Sequence, residues 1–151
     1  MIVDAVIDVN EKQGKHALAK IHNLVGEVKG KTIAVLGLAF KPETDDMREA
    51  PAIGIIESLI QDGAKVRAYD PVAMIEAKTA LPATVEYADD EYAAVTGADA
   101  LVVVTEWNQF RALDRSRIRD LMATPKVADL RNIYDPDDMR ELGFQYVGVG
   151  R

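Results

Sequence analysis

The chain has 151 residues, 48% hydrophobic and 28% charged, the proportions of one globular domain with a proper core. It has no apolar run near the ~20 residues that span a bilayer. Its start, Met1-Ile2-Val3-Asp4, lacks the basic segment and cleavage site of a secretory leader, so the cytoplasm is the expected location. A net charge of −7 with no basic stripe argues against a nucleic-acid partner. The absence of cysteine excludes disulfides, thiolate catalysis and cysteine metal sites.

Residues 1–28 predict one long helix. Leu18, Ile21, Leu24, Val25 and Val28 recur at threes and fours along one face, and Gly26 and Gly30 bracket the end. His16 and His22 lie on this helix at a spacing that does not bring them face to face, so they read as surface residues and not as metal ligands. Upstream, Ile2, Val3, Val6, Ile7 and Val9 are dense enough to need a partner, either the remainder of a longer protein or a second subunit.

Lys31 to Leu38 reads as a buried parallel strand closed by Gly37, followed by a polar loop over 39–50. Pro51 suits the first turn of a helix that runs through Ile53, Ile56, Leu59 and Ile60 to Gly63. Lys65 to Tyr69 is a second strand, ended by Asp70-Pro71, where a turn is favoured over a ribose-binding acid. A weak helix, a short strand near Val85 to Tyr87 and a helix over 89–96 follow. The remaining expectations are strands at Ala100 to Val104, Val127 to Leu130 and Phe144 to Val149, with helices over 114–123 and 136–142. This alternation predicts an α/β fold, a Rossmann-like doubly wound parallel sheet preceded by a long N-terminal helix. The divisions are 1–28, the helix whose apolar start needs a partner, and 29–151, the doubly wound domain.

In such sheets ligands bind beyond the carboxyl ends of the strands where the strand order reverses. That point falls between Lys31 to Leu38 and Ala100 to Val104. The loops leaving them, with the loop after the fifth strand, bring together the aromatics Phe40 and Trp107 and the cations Lys41, Arg48 and Arg131. Such a set suits a flat ring joined to an anionic group, as in a nucleotide diphosphate. Each also has a plainer reading. Phe40 and Trp107 could pack in the core, Lys41 and Arg48 could be solvated charges, and Arg131 could pair only with Asp129 or Asp135. Gly37-Leu38-Ala39-Phe40-Lys41-Pro42 is neither a dinucleotide fingerprint nor a phosphate loop.

Several stretches are recognisable. Lys31-Thr32-Ile33-Ala34-Val35-Leu36-Gly37-Leu38-Ala39-Phe40-Lys41-Pro42, Thr44-Asp45-Asp46-Met47-Arg48-Glu49-Ala50-Pro51, Tyr69-Asp70-Pro71, Thr105-Glu106-Trp107 with Phe110, and Asp129-Leu130-Arg131-Asn132 resemble the C-terminal domain of the UDP-glucose and GDP-mannose dehydrogenase family. Val9-Asn10-Glu11-Lys12-Gln13 resembles part of the family's central helix, and Gly148-Val149-Gly150-Arg151 a family C-terminus. The resemblance implies a UDP-sugar-binding domain. A separate N-terminal domain would bind NAD and supply the catalytic cysteine and lysine, and the central helix would build a homodimer. Together they would oxidise the sugar C6 alcohol to a carboxylate. By position it implies that Phe40, Lys41 and Arg131 meet the UDP-sugar, a site to which the loop reading above adds Trp107, and that Arg48 reaches the NAD phosphates. It implies no catalytic residue in this chain, which alone would be inactive. Thr105-Glu106-Trp107 most resembles the UDP-glucose branch, with GDP-mannose and N-acetylated UDP-sugars as alternatives.

Two readings of another class compete. A receiver-like signalling module would need an acidic pair after the first strand, where this chain has Leu38-Ala39-Phe40-Lys41. A pure dimerisation module would use residues 1–28 as its interface.

Overall fold

The computed structural model describes residues 15–39 and 50–149. A helix over residues 15–25 (α1) leads through Gly26, at φ 79°, into strand β1, Thr32–Leu36. Then follow α2 (Pro51–Gln61), β2 (Lys65–Tyr69), α3 (Met74–Ala80), β3 (Glu86–Tyr87) and α4 (Glu91–Val95). The second half runs β4 (Ala100–Val103), α5 (Asn108–Arg111), α6 (Arg115–Leu121), β5 (Lys126–Asp129), α7 (Pro136–Glu141) and β6 (Gln145–Gly148). Among the described residues no helix is long and apolar enough to cross a membrane.

The six strands pair in the order β3-β2-β1-β4-β5-β6, and every pairing is parallel. The order reverses between β1 and β4, where Val35 lies opposite Val102 and Leu36 opposite Val103. The predicted doubly wound sheet is therefore the one observed.

Both faces of the sheet are covered, which is why its central strands read as unbroken apolar runs. Side-chain alternation sends Ile33, Val35, Ala100 and Val102 to one face, against Ile55, Ile56 and Leu59 of α2 and Ala77 of α3. Ala34, Leu36, Leu101 and Val103 go to the other, against Ala94, Phe110, Ile118 and Met139. α1 belongs to the first layer. Ile21, Val25 and Val28 are buried there and Ala17, Leu18 and Leu24 pack around them, so the predicted stripe is satisfied within this chain. His22 lies 3.2 Å from Asp62 at the end of α2, a half-exposed tie between the two helices. The apolar group Ile2, Val3, Val6 and Ile7 lies outside the described residues.

Local signals explain most boundaries. β1 ends at Leu36, two residues before the predicted end, because Gly37 takes φ 92° and leaves the extended region. Asp90, Asp114 and Asp135 cap α4, α6 and α7 by accepting from the first-turn amides of those helices. α2 starts from Ala50 with no side-chain cap and Pro51 in its first turn. α5 is an addition to the expected elements, one turn set off by Trp107.

Candidate functional site

The exits of β1, β4 and β5 meet at the rim where the strand order reverses. Gly37 leaves β1 with its N–H on the Tyr69 carbonyl oxygen at 2.9 Å, and the chain turns beneath Thr105. A Cβ at Gly37 would stand 2.5 Å from the Thr105 Cβ and 2.7 Å from its backbone nitrogen, so only glycine fits. Thr105 is fully buried, and its hydroxyl donates to the Ala39 carbonyl oxygen at 2.7 Å. The β1 and β4 exits are thereby locked together by one close approach and one hydrogen bond.

Two buried acids fix the flanks. Asp70, just past β2, is fully buried. Its Oδ2 accepts from Leu38 N at 2.8 Å and from Ala39 N at 3.4 Å, while Oδ1 accepts from Val72 N at 2.9 Å and Ala73 N at 2.8 Å. Asp129, the last residue of β5, is equally buried. It accepts from Arg131 N at 3.2 Å, Tyr134 N at 3.0 Å and the Tyr146 hydroxyl at 2.6 Å. Burial is the largest cause holding the Tyr134 hydroxyl well above the usual phenol range, with the Asp129 charge next.

Between these acids the loops of β4 and β5 present opposite charges. Arg131 Nε lies 2.5 Å from Glu106 Oε2, and each side chain is about a third exposed (33% and 35%). Asn132, at φ 54°, follows Arg131 in the left-handed region. Its amide donates to the Val149 carbonyl oxygen at 3.0 Å and accepts from Val149 N at 2.9 Å, so the β5 loop is tied to the end of β6.

The sequence-predicted site residues divide into three groups. Arg131 stands at the rim, on the loop expected, with Glu106 as a side-chain partner where the plainer reading offered Asp129 or Asp135. Trp107 sits on the adjacent loop but is 8% exposed and packed in the second core layer, so its ring offers little open face for stacking. Its indole nitrogen has no hydrogen-bond partner among the described residues. Phe40, Lys41 and Arg48 lie outside the described residues. Sequence reasoning passed over Glu106, Thr105 and Asp129 as site-forming groups. Register carried the missing signal, because Val103 pairs with Asp129 and so Glu106 and Arg131 leave neighbouring strands together.

The residues of this rim do not fit NAD in the usual dinucleotide position. Both oxygens of Asp70 are taken by backbone donors where a ribose-binding acid would need one open. The turn after β1 also lacks the further glycines that let a pyrophosphate approach the backbone.

Strand order and rim together define a Rossmann-like α/β domain whose strand order reverses between β1 and β4, the place where ligands bind in folds of this class. The chain belongs to the UDP-glucose/GDP-mannose dehydrogenase family, whose UDP binding domain matches residues 34–136. It is 43% identical to the UDP-glucose 6-dehydrogenase TuaD of Bacillus subtilis over 150 residues, 99% of this chain and 32% of that protein. It is 52% identical to a UDP-glucose 6-dehydrogenase of Pseudomonas aeruginosa over 131 residues, 83% of this chain and 29% of that one. Among solved structures, a UDP-glucose dehydrogenase of Pyrobaculum islandicum superposes with a TM-score of 0.78 at 32% identity, covering 97% of this chain and 31% of that one. The chain thus spans about a third of the length of the curated relatives it matches.

Proposed function

We propose that this chain is the UDP-sugar-binding C-terminal domain of an NAD-dependent UDP-glucose 6-dehydrogenase. The observation that carries the proposal is the meeting of Glu106 and Arg131 at 2.5 Å across the β4 and β5 exits, which sets a guanidinium at the ligand-binding rim of a UDP binding domain. Arg131 grips the diphosphate, since guanidinium forks match phosphate oxygens. Phe40 and Lys41 complete the UDP-sugar contacts from the β1 loop. Trp107 supports the β4 loop from below. Arg48 reaches toward the phosphates of NAD, which is held mainly by the rest of the protein.

Residues 1–28 are the segment that joins 29–151 to an N-terminal catalytic domain and pairs two subunits, in the cytoplasm. With no cysteine in the chain, the cysteine-dependent oxidation belongs to that other domain, and the isolated chain turns over no substrate. UDP-glucose is favoured over other nucleotide sugars because relatives named UDP-glucose 6-dehydrogenase reach 43% and 52% identity, while a UDP-N-acetyl-mannosamine dehydrogenase, Cap5O of Staphylococcus aureus, stands at 26%.

Calorimetric titration of the chain with UDP and UDP-glucose, beside GDP and GDP-mannose, tests this reading. The expected result is binding of the uridine ligands, weakened because part of the site is absent, and lost in Arg131→Ala. Silence toward every nucleotide at millimolar concentration would reject it.

A further inference from the structure

The backbone ladder between β1 and β4 runs as far as Val104 N on the Leu36 carbonyl oxygen, at 2.9 Å. Beyond it a side chain carries the connection on. Thr105, fully buried, donates its hydroxyl proton to the Ala39 carbonyl oxygen at 2.7 Å, across 66 residues of sequence. Gly37 lets it come that close, since a Cβ there would stand 2.6 Å from the Thr105 hydroxyl oxygen. From the β2 side, Asp70 Oδ2 accepts from the amides of Leu38 and Ala39 at 2.8 and 3.4 Å. Ala39 is therefore held by its N–H from one flank and by its C=O from the other. A peptide unit is planar, so a fixed carbonyl sets the direction in which the chain goes on. The residues that follow are Phe40 and Lys41.

We propose that Thr105 is a positioning residue for the ligand: its hydroxyl sets the course on which the β1 loop leaves the sheet, and so brings Phe40 and Lys41 to the ligand that Arg131 holds. This inference rests on the nucleotide-sugar reading given above. A hydroxyl has one proton to give, and here it is given to Ala39, so Thr105 acts through the loop and not by touching the ligand. The residue also stands next to the other half of the site, because Glu106 follows it and meets Arg131. One buried side chain thus ties the β1 loop to the loop that faces Arg131. Without the hydroxyl, the Ala39 carbonyl oxygen is a buried acceptor that has lost its donor, and the exit of β1 is free to turn in search of another.

Calorimetric titration of the 151-residue chain with uridine diphosphate tests this, at a temperature where circular dichroism shows each variant folded. Thr105→Ser and Thr105→Ala both lack the methyl group, so they differ from each other in the hydroxyl alone. Thr105→Ser is expected to bind within about twofold of the wild type, and Thr105→Ala about tenfold more weakly. Thr105→Val, which lacks the donor but keeps the volume, takes the place of Thr105→Ala if that variant does not fold. A double-mutant cycle separates positioning from a general loosening of the fold. Lys41→Ala is expected to weaken binding about fivefold in the wild type and less than about twofold in the Thr105→Ala background, while Arg131→Ala costs the same factor in both. Equal binding by Thr105→Ser and Thr105→Ala would overturn the inference. So would a Lys41→Ala penalty undiminished in the Thr105→Ala background. A wild type that does not bind uridine diphosphate, or binds it as well without Lys41 and Arg131, would instead reject the reading of the site, and the inference with it.

Discussion

Asp70 and Asp129 do the same work on opposite sides of the switch point. Each is a fully buried carboxylate at the end of a strand, and each turns the following loop by accepting its amide protons. Asp70 also reaches sideways to the β1 exit, at Leu38, so it fixes the rim as well as its own turn. An ionised carboxylate is suited to this because both oxygens only accept. Asp70→Asn keeps the shape but turns one oxygen into a donor that faces N–H groups. It is expected to cost roughly 2 to 3 kcal/mol, the scale of buried donors left unsatisfied, measured by urea unfolding. A change under ~0.5 kcal/mol would show that these bonds are not needed. The turn role of Asp70 was legible in the sequence, since Asp-Pro at a strand end is a common turn. The role of Asp129 was not, because its hydroxyl donor, Tyr146, comes from a different strand 17 residues away. Nor was the burial of Trp107. A lone aromatic in a loop looks the same in sequence whether it faces a ligand or the core, and the one-turn α5 that tucks it in is too short to leave a periodic signal.

At the scale of elements, the strands were the most readable part of the chain. β2 spans Lys65–Tyr69 as expected, because five alternating residues between Ala64 and Asp70 leave no other choice of register. Buried β1 and β4 shortened by one or more residues where the rim begins, which no apolar run can show, since Leu38 and Val104 remain buried after leaving the sheet. The starts of α4, α6 and α7 followed their aspartate caps; α3 and α5 have no side-chain cap, and neither has α2. Its N-cap, Ala50, has extended backbone angles (φ −65°, ψ 127°) but no hydroxyl to satisfy the first-turn amides. Ala50→Ser is therefore expected to stabilise the fold by about 0.5 to 1 kcal/mol, seen as a higher thermal midpoint. A lower midpoint would mean that the buried position has no room for the oxygen. The pair Glu106–Arg131 belongs to this scale too. Neither residue predicts the other in sequence, and it is the β4–β5 register that sets their loops side by side.

For the whole molecule, the two helical layers make the sheet a rigid platform, and the tyrosines in and around it set an alkaline limit. Tyr134, Tyr69 and Tyr87 are all raised above the usual phenol range, in each case chiefly by burial. The unfolded chain releases these protons near pH 10 while the folded chain still holds them. The contribution is thus fully present below about pH 10 and is lost as pH rises beyond it. Stability measured in urea is expected to be level from pH 8 to 9.5 and to fall steeply by pH 11. The fall should be shallower in Tyr134→Phe, by up to ~1.4 kcal/mol per pH unit. Parallel slopes in the two proteins would contradict this.

The central claim is spatial: the ligand belongs at the β1/β4 rim, over Arg131. Mapping amide chemical-shift changes as UDP is added tests it most directly. The account predicts that, among the described residues, the largest changes fall on 37–39, 104–107 and 129–132, with the indole N–H of Trp107 among them. Changes concentrated instead at the opposite edge of the sheet, around 30–32, 97–99 and 124–126, would contradict it.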